Sequence, residues 1–305
     1  MPRLIDDIRA AGRLTMPFFV RSKREQWQKI ATFLAPILLK EDVPVLLVDN
    51  VSDYMYRGSD QEHWDLSKDF PNLAPPFPTF WCEHKMPTLI HSKECGDSDL
   101  SFIRHGRVGV LVHAADPKNV KGEDIPANTR WILWCELFVD YDQKGRGIEG
   151  PHGSMFMAID GQGAIIENPW MQSFAEAGLE EVMRGYMAWL NPTLLSISFL
   201  HCKNVTLVKN EVPKPLAKKY RERHGIQPTR YQTLVIEPLK AILRTEGRSD
   251  QVGVQKALHI CRGHFRDYRE GAGLFGKYHG VFWTPQIVRG TKGTSAPPRE
   301  IKIKV

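Results

Sequence analysis

Apolar residues recur at helical spacing in three long stretches of the chain. Residues 3–14 predict a short amphipathic helix, and residues 22–39 predict a second helix, which Pro36 bends or ends. Residues 171–202 carry the longest helical pattern, and we expect Pro192 to divide it into two helices. Such broad apolar stripes are typical of helices that pack on a core.

Short runs rich in β-branched and aromatic residues predict strands between and after these helices. The clearest runs cover residues 43–49, 79–84, 107–116, 130–142 and 231–239. A hairpin is also predicted around residues 161–163, between the runs "SMFMAID" and "AIIENP". Strands joined by short turns form antiparallel sheets, whereas parallel sheets need long crossover connections. We therefore predict an α+β protein with a mainly antiparallel sheet, packing helices and a basic, β-rich C-terminal portion.

Charge is distributed unevenly along the 305 residues. Residues 1–202 hold 20 Lys and Arg against 27 Asp and Glu, a net charge of −7. Residues 203–305 hold 21 against 8, a net charge of +13. We therefore distinguish an acidic α+β portion from a basic β-hairpin portion, and the two either form separate domains or pack as one. Nucleic acid is the commonest partner of a basic surface, and a solvated basic face without a partner is the alternative.

Several classes of protein do not fit the sequence. No stretch has the roughly 18 unbroken apolar residues that a transmembrane helix requires, so no membrane association is expected. The N-terminal residues include acids and do not resemble a secretory signal, so we expect a cytoplasmic protein. Five cysteines without paired spacing indicate free thiols. We expect no cofactor and no metal; the cysteines and histidines of residues 82–95, or acids at strand ends over 140–167, are the alternative metal donors.

One stretch, residues 257–290, combines histidines, cations, aromatic residues and glycines: "ALHICRGHFRDYREGAGLFGKYHGVFWTPQIVRG". If residues 258–268 form a strand, alternation sends Arg262, His264 and Arg266 to the same face. Cationic side chains on one face repel one another, and an anion bound among them offsets the energetic cost of this repulsion. The stretch therefore predicts a phosphate site on the face of a β-hairpin.

The predicted site extends beyond this strand. A glycine-rich turn follows it, and a returning strand that carries Trp283 completes the hairpin. A short basic helix, predicted over 213–225 and ended by Gly225, is expected to add to the same face. The residues predicted to bind phosphate or nucleic acid are Arg262, Arg266, Lys277, His279, Arg289, Lys218, Lys219 and Arg221.

Three functions remain open at this point. The first is a nucleic-acid-binding protein without catalysis. The second is a metal-independent ribonuclease, which needs a general base, a general acid and cations around the phosphate. His264 with His259 or His279 as its partner, and Tyr268 as a positioning or donating group, would supply that chemistry. The third is a structural or host-inhibiting protein with a host protein as partner. The sequence indicates no oligomeric state. The alternative to any functional site is that Arg262 and His264 only form structural hydrogen bonds.

The hairpin sequence resembles a C-terminal signature of hypothetical proteins from phages, plasmids and related bacterial mobile DNA. The signature has the form [IV]-x-R-G-H-[FW]-R, followed after a glycine-containing gap by a tryptophan, a proline, a basic residue and a glycine. The matching residues are Ile260, Arg262, Gly263, His264, Phe265, Arg266, Trp283, Pro285, Arg289 and Gly290. The resemblance covers about the C-terminal third of the chain. It implies an origin in a phage or mobile element, and it implies no activity.

Overall fold

The computed structural model describes most of the chain. The described residues are 4–17, 23–39, 43–56, 66–85, 106–120, 125–140, 148–166, 169–173, 179–236, 259–261, 264–274, 277–284 and 287–289. The chain divides into two compact units. The first unit comprises Met1–Ile197 and Val208–Thr233, and the second comprises Ser198–Leu207 and Leu234–Val305.

The described residues include one large sheet, and its first seven strands lie in the first unit. Its strands are β1 (Val45–Leu47), β2 (Thr79–Lys85), β3 (Arg107–Ala115), β4 (Trp131–Asp140), β5 (Ile148–Glu149), β6 (Gly153–Ile159), β7 (Trp170–Ser173), β8 (Val205–Asn210) and β9 (Tyr231–Ile236). The strand order is β7-β6-β4-β3-β2-β1-β9-β8, with β5 beside β4. Strands β2, β3, β4, β6 and β7 pair antiparallel along this order, and β1 runs parallel to both β2 and β9. The predicted fold class, α+β with a mainly antiparallel sheet, is confirmed.

Helices precede, interrupt and follow these strands. They are α1 (Leu4–Ala11), α2 (Arg24–Leu38), α3 (Asp49–Tyr56), α4 (Leu66–Asp69), α5 (Leu179–Leu200) and α6 (Lys214–His224). Helix α6 ends as predicted, because Gly225 adopts a left-handed conformation with φ of +74° and donates its N–H to the Arg221 carbonyl oxygen. None of the helices within the described ranges is long and apolar enough to cross a membrane.

Helices α1 and α2 cover one face of the sheet. Their apolar side chains pack around Trp81 and Phe138, whose ring centroids lie 5.4 Å apart. Leu4 of α1 also approaches Gly109 of β3, where an added Cβ would collide with both Leu4 and the Trp81 ring. A glycine at this position therefore permits the close approach of helix and sheet.

Helix α5 packs on the opposite face. Alternation along β2 sends His84 away from the Trp81 side, and His84 Nε2 lies 3.0 Å from the carbonyl oxygen of Trp189 in α5. The Tyr186 hydroxyl donates to the Gly153 carbonyl oxygen at 2.9 Å. Both faces of the sheet are thus covered by helices, which explains why strands such as β3, β4 and β6 are buried over most of their length.

Three predicted elements differ from the structure. Pro192 does not divide the helix, because α5 continues through it to Leu200. A proline removes one backbone N–H and crowds the preceding turn, and the burial of the residues around it stabilises the helix despite that cost. Residues 171–173 form part of β7 rather than a helix, because they pair with β6. The described part of the predicted strand "AIIENP" contributes a single bridge, between Ile159 and Ile165.

The second unit contains the predicted hairpin. Strand β10 (His259–Cys261) pairs with β13 (Ile287–Arg289), and β11 (His264–Asp267) pairs with β12 (Val281–Thr284), both antiparallel and in one register. Phe265 lies opposite Trp283, and both rings pack against Phe199 with centroid distances of 5.6 and 4.9 Å. The Asn204 side chain holds β12 by donating to the Trp283 carbonyl oxygen and accepting from its N–H. The aromatic cluster and this double hydrogen bond fix one face of the hairpin.

Candidate nucleic-acid interface

Three polar side chains lie in line on β11 and the residue after it, and we call them the Arg266 row: His264, Arg266 and Tyr268. Arg266 Nε donates to His264 Nε2 at 2.9 Å, and Arg266 Nη1 donates to the Tyr268 hydroxyl at 3.3 Å. His264 is exposed, and the other two are partly exposed. The spacing of two residues sends all three to the same face, opposite to the face where Phe265 packs on the core.

The single acidic residue of β11 lies on the face opposite the Arg266 row, where it pairs with an arginine. Asp267 has the opposite parity, and both of its carboxylate oxygens accept hydrogen bonds from Arg269. These bonds hold the pKa of Asp267 below its usual value. Within the described part of the chain, Arg266 pairs with no carboxylate and its Nη2 group has no hydrogen-bond acceptor. The row therefore presents an uncompensated guanidinium with donors available to an anion.

The neighbouring strand contributes uncharged groups to the same face. Register places Thr284 directly opposite His264 and Phe282 directly opposite Arg266. Both β12 side chains are buried, with Thr284 6% exposed. The Thr284 hydroxyl makes no hydrogen bond to any described residue. The Arg266 row is thus accessible on β11, whereas the neighbouring side chains of β12 are buried.

The hairpin loop carries two further predicted residues, Lys277 and His279, and both are exposed. The Lys277 ammonium group lies 5.2 Å from the centroid of the Tyr278 ring. Gly273 adopts φ of +76°, and its backbone lies so close to the His279 ring that a Cβ would approach Nε2 to 3.2 Å. The glycines of the loop therefore serve a tight turn, which Leu274 and Tyr278 close with backbone hydrogen bonds.

The basic helix α6 belongs to the first unit. Lys218, Lys219 and Arg221 are exposed there, and among the described residues Lys218 pairs only with Glu222, at 3.9 Å. Tyr220 fixes the helix by donating its hydroxyl to the Asp6 carbonyl oxygen. The first unit therefore has its own group of exposed cations, separate in sequence from the Arg266 row. A single face shared by α6 and the hairpin stays a prediction.

The remaining predicted site residues are described only in part. His259 and Arg289 are backbone partners at the end of the β10–β13 pair. Arg262 lies outside the described residues, as does Gly263 beside it. Arg266, His264 and Tyr268 are thus brought together in space. The catalytic pairing of His264 with His259 stays a prediction.

Two of the alternative metal donors, Cys82 and His84, lie in surroundings that do not suit metal binding. Cys82 is buried, and burial raises its thiol pKa to about 12. Both ring nitrogens of His84 lie close to carbonyl oxygens, those of Lys85 and Trp189, and burial lowers its pKa. No group of three His, Cys, Asp or Glu side chains placed to hold a metal occurs among the residues that the structure describes.

Sequence reasoning missed a buried ionic network beneath α1. The Glu83 carboxylate is fully buried, and its donors include the backbone N–H groups of Leu4 and Ile5, Trp81 Nε1 and Arg107 Nε. Arg107 also pairs with Asp49 at 3.2 Å. Glu83 therefore caps the first turn of α1. Because it is far from α1 in sequence, no local capping motif indicates this role.

Glu136 on β4 is a second buried acid that the sequence did not single out. Its Oε1 atom accepts from Trp134 Nε1 and from the Ser154 hydroxyl. Its Oε2 atom has no partner among the described residues. Burial raises its pKa to about 8, although the two hydrogen bonds act in the opposite direction. Glu136 therefore carries a proton in the folded protein at neutral pH.

A cleft of about 360 Å³ lies beside α1 in the first unit. Asp7, Arg13, Asp140 and the backbone around Gly150 contribute to its lining. Partial burial and the nearby Asp140 carboxylate raise the pKa of Asp7. Two acids and one arginine in a shallow cleft do not define a chemistry, and we assign none to it.

Comparisons with known proteins add no further information: no family model, no curated protein and no solved structure matches this chain.

Proposed function

We propose that this chain is a phage or mobile-element protein that binds nucleic acid through its basic C-terminal portion. The resemblance of the hairpin sequence to proteins of mobile DNA supports the origin, and with it a place in the host cytoplasm. One observation carries the binding proposal: an exposed hairpin strand presents Arg266 without a carboxylate partner among the described residues. An unpaired guanidinium of this kind is suited to grip phosphate.

The distribution of charge supports the same proposal. Residues 203–305 carry a net charge of +13, and exposed lysines and arginines on α6 and in the hairpin contribute to it. Phosphate contacts dominate the affinity of proteins for nucleic acid and need no sequence-specific groups. Each unit offers its own group of cations, so the proposal does not depend on the arrangement of the two units.

A ribonuclease is the second candidate, and one observation favours it. His264 and Tyr268 both contact the Arg266 guanidinium, so a base, a donor and a cation meet around one point. Cleavage would require a second proton-transferring group, for which His259 or His279 is the candidate. Binding without cleavage requires only the cation, and it is therefore the preferred function.

Binding can be tested with a pair of matched variants. Arg266→Ala and Arg269→Ala each remove one positive charge from the same hairpin, but Arg269 is already paired with Asp267. We expect Arg266→Ala to weaken the affinity for a fluorescent oligonucleotide by roughly 5- to 30-fold, and Arg269→Ala to change it much less. Equal affinities for both variants and the original protein would contradict a role for the row.

The same samples separate binding from cleavage. RNA and DNA oligonucleotides incubated in the presence of a chelator are examined for shortened products. Intact RNA supports binding alone, whereas RNA products that disappear in His264→Ala establish the ribonuclease. Absence of binding to RNA, single-stranded DNA and duplex DNA at low salt would overturn the proposed function.

A further inference from the structure

We propose that helix α6 lies in the major groove of duplex DNA, with a line of cations facing each of the two phosphate backbones. This inference rests on the proposed function, because it names the form of nucleic acid that the basic portion binds. It concerns the first unit alone and makes no use of the Arg266 row.

Helix α6 is exposed over most of its surface. It spans Lys214–His224, and none of its residues is buried. Only Ala217, Tyr220 and His224, which follow one another at helical spacing, are partly covered. On this docked side, His224 interacts electrostatically with the Asp7 carboxylate of α1. A helix that is docked through a single side leaves the rest of its circumference free for a partner.

Hydrogen bonds to α1 hold the docked side of α6 in place. The Tyr220 hydroxyl donates to the Asp6 carbonyl oxygen at 3.1 Å. Just after the helix, the Thr229 backbone N–H donates to Asp6 Oδ1 at 2.8 Å, and Arg9 Nη1 donates to the Thr229 hydroxyl at 2.6 Å. The last two of these bonds are buried. They fix the orientation of α6 on the first unit, so little freedom is lost when the helix binds a partner.

The cations of α6 form two lines along the helix. Residues three and four apart lie on the same side of a helix. Lys214, Lys218 and Arg221 therefore form one line, and Lys219 and Arg223 form the other. At 3.6 residues per turn, the two lines lie roughly 150° apart around the helix axis. All five side chains belong to exposed residues, so both lines are accessible to a partner.

Few acids compensate these cations. Residues 208–233 hold seven Lys and Arg against two Asp and Glu, a net charge of +5. Each of the two acids pairs with one cation: Glu222 with Lys218 at 3.9 Å, and Glu211 with Arg230 at 3.5 Å. The cations of α6 that make no ion pair with any described residue are Lys214, Lys219, Arg221 and Arg223. The helix therefore complements the charge of a polyanion.

The shape of α6 matches a B-form major groove. The groove is about 12 Å wide, and an α-helix with its side chains is about 10–12 Å across. The 11 residues of α6 extend over about 16 Å, roughly half a turn of the duplex. When the docked side faces away from the DNA, the two lines of cations face the two walls of the groove. Each wall is a phosphate backbone, which lysine and arginine bind.

The ridge between the two lines of cations points to the floor of the groove. It carries Pro215 and Glu222, and both are exposed. The ion pair between Glu222 and Lys218 is also exposed, so little stability is lost when it separates. A glutamate at the floor of the groove accepts a hydrogen bond from the N4 amino group of cytosine. Glu222 is therefore the residue of α6 that distinguishes base pairs.

Two other partners fit α6 less well. Duplex RNA has a deep, narrow major groove that side chains do not read. A membrane surface is bound by helices that insert an apolar face. The exposed part of α6 carries one large apolar side chain, Leu216, and is otherwise mainly charged. Duplex DNA is therefore the partner that α6 fits best.

Two double variants test this geometry. Lys219→Gln combined with Arg223→Gln removes one line of cations and keeps residues that favour a helix. Arg24→Gln combined with Lys29→Gln removes one arginine and one lysine from exposed positions of α2 in the same unit, and serves as the matched control. Circular dichroism verifies that both variants keep the fold.

The first measurement is the salt dependence of the affinity of the intact chain for a short DNA duplex, for one of its single strands and for an RNA duplex of the same sequence. Each phosphate neutralised on duplex DNA contributes a slope of about −0.9 to the logarithm of affinity against the logarithm of salt concentration. We expect the duplex DNA slope to be shallower by about 1.8 in the α6 variant and unchanged in the α2 control. The single strand and the RNA duplex should show a much smaller change, because neither offers two phosphate backbones at the width of the B-form groove.

The second measurement locates the helix on the duplex. Dimethyl sulfate methylates guanine N7, which lies in the major groove, and adenine N3, which lies in the minor groove. We expect the original protein and the α2 control to protect guanine N7 and to leave adenine N3 reactive. At the same protein concentration, the α6 variant should lose this protection.

Failure of the inference is distinguishable from failure of the proposed function. Duplex DNA binding with equal slopes in the two double variants, or without protection of guanine N7, would overturn the inference while nucleic-acid binding remained. Binding to vesicles of phosphatidylglycerol that the α6 variant lacks, without binding to the DNA duplex, would assign α6 to a membrane surface and would also overturn the inference. No binding of the original protein to any of the three nucleic acids would overturn the proposed function itself.

Discussion

Glu136→Gln tests whether the central sheet contains a buried acid that is protonated in the folded state. The Glu136 carboxyl is almost fully buried and uses one oxygen to accept from Trp134 and Ser154. Its other oxygen has no partner among the described residues. Burial raises its pKa from the usual 4.5 to about 8. The folded chain therefore holds a proton at Glu136 over a pH range in which the unfolded chain has released it.

The magnitude follows from this shift in pKa. Because the folded state binds more protons between about pH 4.5 and pH 8, the stability is highest below this window and falls as the pH rises through it. Each pH unit in the window corresponds to about 1.4 kcal/mol for one proton. Ionisation of Glu136 should therefore remove about 4 kcal/mol of unfolding free energy between about pH 5 and pH 8.5.

The glutamine variant removes this dependence on pH. Its amide oxygen can still accept from Trp134 and Ser154, but it places an amide group where the unpartnered oxygen lies. Protonated Glu136 already carries its hydrogen on this oxygen, and the amide adds one further N–H there, at a cost of up to about 1–3 kcal/mol at every pH. We therefore expect Glu136→Gln to be less stable than the original protein at about pH 5 and as stable or more stable at about pH 8.5.

Urea unfolding followed by tryptophan fluorescence measures this difference across the pH range. Glu25→Gln, which alters an exposed carboxyl on α2, is the matched control, and its stability should follow that of the original protein. A difference between Glu136→Gln and the original protein that stays constant from about pH 5 to pH 8.5 would refute the reasoning.

Two further predictions concern buried hydrogen bonds. Glu83→Ala leaves Arg107 without its closest carboxylate and uncaps α1, so the unfolding free energy should fall by about 3–5 kcal/mol. Glu222→Ala, which removes an exposed ion pair, should lower it by less than about 1 kcal/mol. Urea unfolding of both variants measures this difference. Asn204→Ala removes both hydrogen bonds to the Trp283 backbone and should lower the unfolding free energy by about 1–3 kcal/mol. We expect faster amide hydrogen exchange in β12. Unchanged protection of the β12 amides from exchange would contradict this prediction.

Elements with strong local patterns were predictable from the sequence. The alternation and β-branched residues of β2, β3 and β4 place these strands within a residue or two of their observed bounds. Gly225 ends α6 as predicted, because its φ of +74° suits glycine better than other residues. These features depend on a few neighbouring residues, and their physical basis is therefore present in the local sequence.

Features that depend on distant residues were not predictable. Strand β1 lies between β2 and β9, which is about 185 residues away in sequence, and nothing in its own residues specifies those neighbours. The continuity of α5 through Pro192 depends on burial by the sheet. The Glu83 carboxylate reaches the first turn of α1 across 79 residues. Tertiary packing decides each of these cases.

The candidate site was predictable only in outline. Alternation along residues 258–268 predicts that His264 and Arg266 share a face, and the described structure places both, with Tyr268, in one row. Mutual repulsion of cationic groups was expected, whereas Arg266 Nε donates a hydrogen bond to His264 Nε2. A hydrogen bond between two side chains depends on distances that sequence alone does not supply.

The central claim is that the Arg266 row binds phosphate. The dependence of oligonucleotide affinity on salt concentration tests this claim most directly. Each phosphate neutralised on a single strand contributes a slope of about −0.7 to the logarithm of affinity against the logarithm of salt concentration. We predict a steep negative slope for the original protein, a slope shallower by about 0.7 for Arg266→Gln, and an unchanged slope for Arg269→Gln. A flat salt response in the original protein, or the same slope in both variants, would contradict the account.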